Sequence, residues 1–430
     1  MKGLQAGEKG KSASIVLRAL SPLPSLTIQA LTDGKISLLV ENVNPDVYAK
    51  SIATENLMLE AVSANTVQID FIIKTGETII LEPILPSNLE EDKFVILGDN
   101  RDGYDTFGQI IQQTNALKPL FVIDNGDLVF SGKPNQYRLF DKMVSSFSTT
   151  LCTTLGNHDI RRDGRDTYTL LYGPAYYSFD WKDTHFVFTD SSRGWGEREA
   201  IPEEQYLWLE KDLAKAQGKQ IFVVTHIPPT DPRSGTTENT IPNFINEVKN
   251  GNSWIERKLD AYNASMSMNH GFQNPLEAER FEKLMSTYNV DTVYLSHIHS
   301  YLEYDKGGVH YIITGGAGAE LLTQNSYYHY LVAKMGGDNT NTLVELPSPP
   351  NYYLSRYGAT IQLFADALFE ENPISLTFLL LGFAILLILL LLKMYLWKTE
   401  PLNLFWKWLH DSFIYSVNHF KYLFLKKPEA

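Results

Sequence analysis

Five short apolar runs, at 94–97, 120–123, 151–155, 221–224 and 293–295, each give way within a few residues to polar or charged positions. Aliphatic and β-branched runs of this length read as strands buried in a sheet. The turns after them carry Gly98-Asp99-Asn100-Arg101, Gly126-Asp127, Gly156-Asn157-His158-Asp159, His226 and His297-Ile298-His299. Helical spacing falls between them, over 205–217 and 277–288, and a hairpin over 178–181 and 185–189 turns around Lys182-Asp183. Strands alternating with helices predict an α/β fold, and such folds build their sites where strand ends meet.

Upstream the period changes. Runs at 26–29, 36–40, 67–73 and 78–81, broken by Asp33-Gly34 and Thr75-Gly76, predict a small β-sandwich at 13–92 after a polar stretch at 1–12. An acidic hinge at 86–93 leads into the α/β domain at 93–346. Pro347-Ser348-Pro349-Pro350 opens a linker at 347–373 that includes an amphipathic helix at 359–369. The loop 229–275 is long and polar, and it lies between two of the motifs, so it is expected to overhang the site.

From Ile374 to Leu392 the chain is uncharged for 19 residues. At about 1.5 Å per residue this is about 30 Å, the hydrocarbon thickness of a bilayer. The pattern predicts a transmembrane helix at 374–397, collared by Lys393, Tyr395, Trp397 and Lys398. In the tail at 398–430, Phe405, Leu409, Phe413, Val417, Phe420 and Phe424 recur at helical spacing among lysines, a pattern for a helix lying in the membrane interface. The basic tail favours the cytoplasm, which would make this a single-pass protein with a C-terminal anchor and an extracytoplasmic catalytic domain. Met1–Leu20 shows no apolar segment of signal-peptide length, so either a signal is missing from this sequence or the enzyme faces the cytoplasm.

Charge and cysteine content narrow the partners. A net charge of −13 argues against nucleic acid as a partner, and the apolar run makes the lipid bilayer one. The single cysteine, Cys152, sits in an apolar run and is expected to be a buried packing residue. His270, His310 and His329 lie outside the motifs and are expected to be structural, as is the turn Gly315-Gly316-Ala317-Gly318.

The motif residues point to metals. Carboxylates, an amide and imidazoles, with no thiolate, suit Mn, Fe or Zn. Two such ions about 3.5–4 Å apart can share one carboxylate, clamp a phosphate and hold a hydroxide that attacks it. The order of the motifs, the glycines before Asp99, Asp127 and Asn157, and the His-x-His spacing resemble the calcineurin-like metallophosphoesterases, the superfamily that includes the purple acid phosphatases, over roughly 93–335. The resemblance implies a four-layer α/β/β/α metallophosphoesterase core between the N-terminal β-sandwich and the transmembrane helix. It implies two divalent or trivalent ions, with Asp127 bridging, Asp99 and His299 on the first, and Asn157, His226 and His297 on the second. His158 matches the residue that protonates the leaving oxygen, and Asp159 a partner that fixes its ring.

Two positions depart from the family pattern. The first motif has Arg101 where most members have a histidine, and Phe130 stands where purple acid phosphatases have a tyrosine. Asn100 is expected at the substrate, and Arg101 beside it reads equally as a phosphate contact or as a bridge between loop carboxylates. The expected function is hydrolysis of a phosphate mono- or diester by a membrane-anchored enzyme. The alternative is a membrane-tethered binding or scaffold protein with an impaired first metal site.

Overall fold

The computed structural model describes residues 4–7, 15–48, 57–87, 89–194, 199–233, 269–321, 326–337, 340–349, 352–371, 373–396, 406–412 and 414. Most of the overhanging loop, at 234–268, and most of the basic tail lie outside the described residues. The chain divides into two compact units, Met1–Leu363 and Phe364–Ala430.

The first unit opens with seven strands: β1 (Leu4–Gly7), β2 (Ile15–Ala19), β3 (Leu26–Gln29), β4 (Gly34–Glu41), β5 (Met58–Ser63), β6 (Thr66–Ile73) and β7 (Thr78–Leu81). They form a five-stranded sheet in the order β1-β2-β4-β6-β5 and a separate pair, β3-β7. Along β6 every second side chain (Val67, Ile69, Phe71, Ile73) is buried, and these pack with Leu26, Ile79 and Leu81 of the pair into one core. That alternation is what a sheet with one covered face requires.

Eleven further strands build the α/β part of the chain. They are β8 (Glu90–Leu97), β9 (Pro119–Asp124), β10 (Thr150–Thr153), β11 (Tyr177–Trp181), β12 (Thr184–Phe188), β13 (Gln220–Val224), β14 (Thr292–Leu295), β15 (Tyr301–Lys306), β16 (Val309–Thr314), β17 (Tyr328–Lys334) and β18 (Asn341–Leu346). One sheet runs β10-β9-β8-β17-β18 and the other β11-β12-β13-β14-β16-β15. Strands β8, β9 and β10 are mutually parallel, as are β12, β13, β14 and β16. Their C-terminal ends therefore gather at common edges.

The two sheets face each other across an aromatic core. Phe94 stacks on Phe121 at 5.4 Å and meets the edges of Phe186 and Tyr294, from the opposite sheet, at 5.3 and 5.9 Å. The alternate residues Val95, Leu97 and Val122 turn outward onto α1 (Tyr104–Leu117), α2 (Pro134–Val144) and α3 (Gly164–Tyr172). On the far side Ile221, Val223, Val293 and Leu295 pack under α4 (Glu203–Lys215) and α5 (Pro275–Thr287). The result is helices, sheet, sheet and helices. Both faces of each central strand are covered, which explains why these strands are continuous apolar runs rather than alternating ones. Full burial of each such phenylalanine contributes about 1.5–3 kcal/mol.

Side chains tie the N-terminal sheets to this core: Asn65 donates to the carbonyl of Val144 at 3.1 Å, and Asn42 meets the sheet edge. Asn42 donates Nδ2–H to the carbonyl of Leu151 at 2.8 Å and accepts the Leu151 N–H at 2.9 Å, completing the outer edge of β10 as a neighbouring strand would.

Toward the end of the chain, α6 (Tyr352–Glu371) starts earlier than its expected apolar pattern, and α7 (Pro373–Leu396) carries the run at 374–392. The described side chains of α7 run from Thr377 to Lys393 with a gap at Leu379, and Phe378, Phe383, Ile385, Ile388 and Leu391 are all more than half exposed. Among the described residues no helix is long and apolar enough to cross a membrane.

Candidate metal centre

Each motif occupies the loop just past a strand end. Asp99 follows β8, Asp127 follows β9, Asn157 follows β10, His226 follows β13, and His297 and His299 follow β14. The two sheets are stitched together here by Asn125, whose Nδ2 donates to the carbonyls of Thr225 at 3.0 Å and Tyr294 at 3.2 Å. Asp99, Arg101, Asp127 and His297 all take left-handed backbone conformations, with φ of 59°, 36°, 56° and 69°. Such conformations are costly for residues other than glycine and persist where surrounding bonds over-determine them. Here the Asp99 N–H donates to Gly126 O at 3.0 Å, the Arg101 N–H to Asp127 O at 3.0 Å, and the His297 N–H to Asp99 Oδ2 at 2.7 Å.

Glycine is required where these loops nearly touch. A Cβ on Gly156 would collide with the backbone and carboxylate of Asp127, and one on Gly315 with the Asp99 carboxylate. Gly315 thus lets the turn after β16 approach Asp99 closely.

Asp99, Asp127 and His299 offer ligand atoms all within 4.8 Å of one another. His299 Nε2 lies 3.4 Å from Asp99 Oδ1, and His226 Nε2 lies 3.4 Å from Asp127 Oδ1. The imidazoles are preset for coordination. His226 Nδ1 donates to Asn125 O at 2.7 Å and His299 Nδ1 to Glu320 O, so each Nε2 presents a lone pair inward. His297 packs between the rings of His226 at 5.4 Å and His270 at 5.3 Å, and its burial, together with those neighbours, holds its pKa well below the usual imidazole range. His270 is therefore beside the centre, not remote from it.

Three buried acceptors in this group have no hydrogen-bond partner among the described residues: Asp99 Oδ1, Asn157 Oδ1 and His226 Nε2. Leaving such atoms unsatisfied costs about 1–3 kcal/mol each. With Asp99 and His226 beside Asp127, itself 1% exposed, the grouping fits a cation. Burial opposes ionisation of Asp127, yet His158, His226 and Arg101 around it keep its pKa below the usual carboxylate value.

The remaining expected residues separate. His158 lies at the rim, with its backbone N–H donating to Asp127 Oδ1 at 2.8 Å and its ring Nδ1 to Phe130 O at 2.6 Å. Its Nε2 accepts from Arg101 Nη1 at 2.8 Å and from Arg161 Nη2 at 2.9 Å. Burial, with the two guanidiniums, lowers its pKa to about 4. Asp159, expected to fix that ring, instead braces the loops: its carboxylate accepts the N–H groups of Gly156 at 2.8 Å, Val129 at 3.0 Å and Leu128 at 3.2 Å. Asn100, expected at the substrate, is fully buried and donates to the Asp124 carboxylate beneath the floor. Arg101 is 3% exposed and reaches His299 Nε2 at 3.2 Å and Glu320 Oε2 at 2.8 Å.

With this geometry the comparisons agree. Residues 92–301 match the family model for calcineurin-like phosphoesterases. The chain is 30% identical over 127 residues, 28% of its length and 46% of the other, to an Arcobacter nitrofigilis protein named "Probable glycerophosphodiester phosphodiesterase GpdQ". It is 28% identical over 153 residues, 32% of its length and 48% of the other, to a cAMP/cGMP dual specificity phosphodiesterase of Mycobacterium tuberculosis. The chain spans about half the length of the curated relatives it matches. A purple acid phosphatase from yellow lupin (Lupinus luteus) seeds aligns with a TM-score of 0.41 and 16% identity, over 77% of this chain and 64% of that one.

Two residues beside the candidate centre, Glu320 and Arg161, had no sequence signal. Glu320 follows the glycine-rich turn at no motif spacing. Arg161 lies two residues past Asp159, where a single arginine in a charged stretch is commonplace.

Proposed function

We propose that this protein hydrolyses a phosphate mono- or diester at a metal centre built on Asp127. The reading is carried by the buried grouping of Asp99, Asp127 and His299, whose ligand atoms lie within 4.8 Å of one another, with His226 Nε2 3.4 Å from the same Asp127 carboxylate. In its full form the proposal has two ions. Asp99, Asp127 and His299 would hold one, and Asn157, His226 and His297, with Asp127, would hold the other. Bound there, Mn, Fe or Zn would supply Lewis acidity toward the phosphoryl oxygens and the attacking water.

The chain's own residues do the rest. Asp127 and Asp99 supply negative charge to hold the cations, and Arg101 faces the phosphoryl oxygens. His158 stands beside Asp127 at the rim and is assigned to the leaving oxygen. It serves that oxygen once the phosphate draws the guanidinium N–H groups off Nε2 and that nitrogen takes up a proton to pass on. The relatives' printed names concern diesters, so a diester is one candidate substrate.

Membrane attachment belongs to the same proposal. Helix α7 is 24 residues long, about 36 Å at 1.5 Å per residue. Its exposed leucines, isoleucines and phenylalanines would be costly to leave in water. The proposed topology is a single C-terminal anchor with the catalytic domain extracytoplasmic. Removing residues from 372 onward should release an active enzyme, and continued pelleting of that folded truncation with membranes would refute the anchor. Protease added to intact cells tests the orientation, since digestion of the catalytic domain means that it faces outside.

One observation favours the second reading, a membrane-tethered scaffold with an impaired first site. The Arg101 guanidinium lies 3.2 Å from the His299 nitrogen that the first ion would use. Phosphoesterase activity that disappears with a chelator supports the enzyme; metal-independent partner binding without turnover supports the scaffold.

A further inference from the structure

Two guanidiniums converge on one acceptor at the mouth of the centre. His158 Nδ1 is committed as a donor to Phe130 O, so its Nε2 has a single lone pair, yet Arg101 Nη1 and Arg161 Nη2 both point at it from 2.8 and 2.9 Å. One of these N–H groups is surplus to the imidazole. The charges are unbalanced as well. Glu320 pairs with Arg101 at 2.8 Å, whereas Arg161 has no carboxylate within ion-pair distance among the described residues. Arg161 is exposed, and its other nitrogen, Nη1, reaches only the Phe130 carbonyl, at 3.5 Å. Phe130 is 44% exposed and flanks both His158, at 5.4 Å, and Arg101, at 5.7 Å, giving the mouth one apolar wall.

We infer that Arg161 and Arg101 form an anion clamp for the terminal phosphate of a phosphomonoester, with Arg161 as the residue that sets this preference. The inference rests on the reading of the site as a phosphoester hydrolase. Guanidinium forks match phosphate oxygens in pairs, and each fork needs free oxygens to accept from. A monoester brings two negative charges and three non-bridging oxygens, enough for the metals and both guanidiniums. A diester brings one charge and two such oxygens, and its second ester carbon would stand where Arg161 needs an acceptor. Phe130 would then face the single organic group of the monoester.

The test uses the full chain, metal-loaded, with 4-nitrophenyl phosphate and bis(4-nitrophenyl) phosphate as substrates and calorimetric binding of orthophosphate as a readout independent of turnover. Because Arg161 is on the surface, Arg161→Ala and Arg161→Lys should both fold. The wild type should prefer the monoester. Arg161→Ala should lower kcat/KM for the monoester and the affinity for orthophosphate by roughly 10–100-fold, the range for hydrogen bonds to charged groups, with a clearly smaller loss on the diester. Arg161→Lys, which keeps the charge but loses the fork, should fall between. Equal losses on the two esters, or orthophosphate affinity unchanged in Arg161→Ala, would overturn the clamp. A wild type that cleaves neither ester would refute the hydrolase reading instead, and the orthophosphate measurement would still decide the clamp.

Discussion

Asp99 Oδ2 accepts the backbone N–H of His297 at 2.7 Å, joining the first motif to the last across 198 residues of chain. One oxygen of Asp99 thereby fixes the loop that delivers both late histidines, and the other, Oδ1, is left buried and unpartnered. Asp99→Ala should therefore loosen His297 and His299 together and weaken metal binding more than deletion of a single ligand. Asp99→Asn keeps an oxygen for the His297 N–H and should lose less. Metal content by elemental analysis compares the two variants.

Gly156 packs so closely that even a methyl group there overlaps the backbone and carboxylate of Asp127. Gly156→Ala should displace Asp127 and reduce bound metal, although it adds only one carbon. Retention of full metal content in that variant would show that the loops can part without disturbing the centre.

Asn42 supplies both partners of the Leu151 backbone at the sheet edge. Asn42→Ala leaves a buried donor and acceptor exposed to loss, with an expected destabilisation of about 1–3 kcal/mol. Denaturant titration should show this as a lower midpoint, with the residual activity of the folded fraction unchanged.

His185 provides the clearest pH dependence away from the centre. Burial opposes its protonation, but Asp212 at 3.0 Å and Asp180 at 2.7 Å win and raise its pKa above the usual 6.5; Lys219, 2.8 Å from Asp180, also faces the cluster. A histidine with a raised folded pKa contributes stability that is fully present below about pH 6.5 and is lost as the pH rises through the folded value. His185→Gln should lower the melting temperature at pH 6, with the deficit narrowing at pH 9. A deficit that grows with pH would reverse the assignment.

His158→Ala tests the leaving-group role. Turnover of an alkyl phosphate should fall by about 10²–10⁴, the usual range for a general acid, and that of a 4-nitrophenyl ester by much less. Equal losses on both would make the ring a scaffold for Arg101 and Arg161 only.

The strands and the ligand loops were legible because they leave two independent marks. Val95, Leu97, Phe94 and Ile96 are apolar in succession since both faces of β8 are covered, and the residue types that follow are those metals need. Helices α1, α2 and α3 escaped notice because their apolar positions are interrupted by residues such as Gln112, Gln113 and Asn135 on the solvent side. The roles of Asn100, Asp159 and Arg161 were illegible for a different reason. Sequence places them next to ligands, but whether a side chain turns to the floor, to a neighbouring loop or to the mouth depends on backbone torsion. The left-handed Asp99, Arg101 and Asp127 are the clearest case, since no local propensity predicts them. Glu320 reaches the site only through the fold, 219 positions after the arginine it pairs with.

The central claim, that Asp127 organises a metal centre that cleaves phosphoesters, is tested most directly by chelation and reconstitution. The full chain should hydrolyse members of a phosphoester panel, lose that activity with a chelator, and regain it with Mn, Zn or Fe, while Asp127→Ala should bind no metal and regain nothing. Hydrolysis undiminished by complete metal removal, or an Asp127→Ala protein with undiminished metal and turnover, would contradict the account.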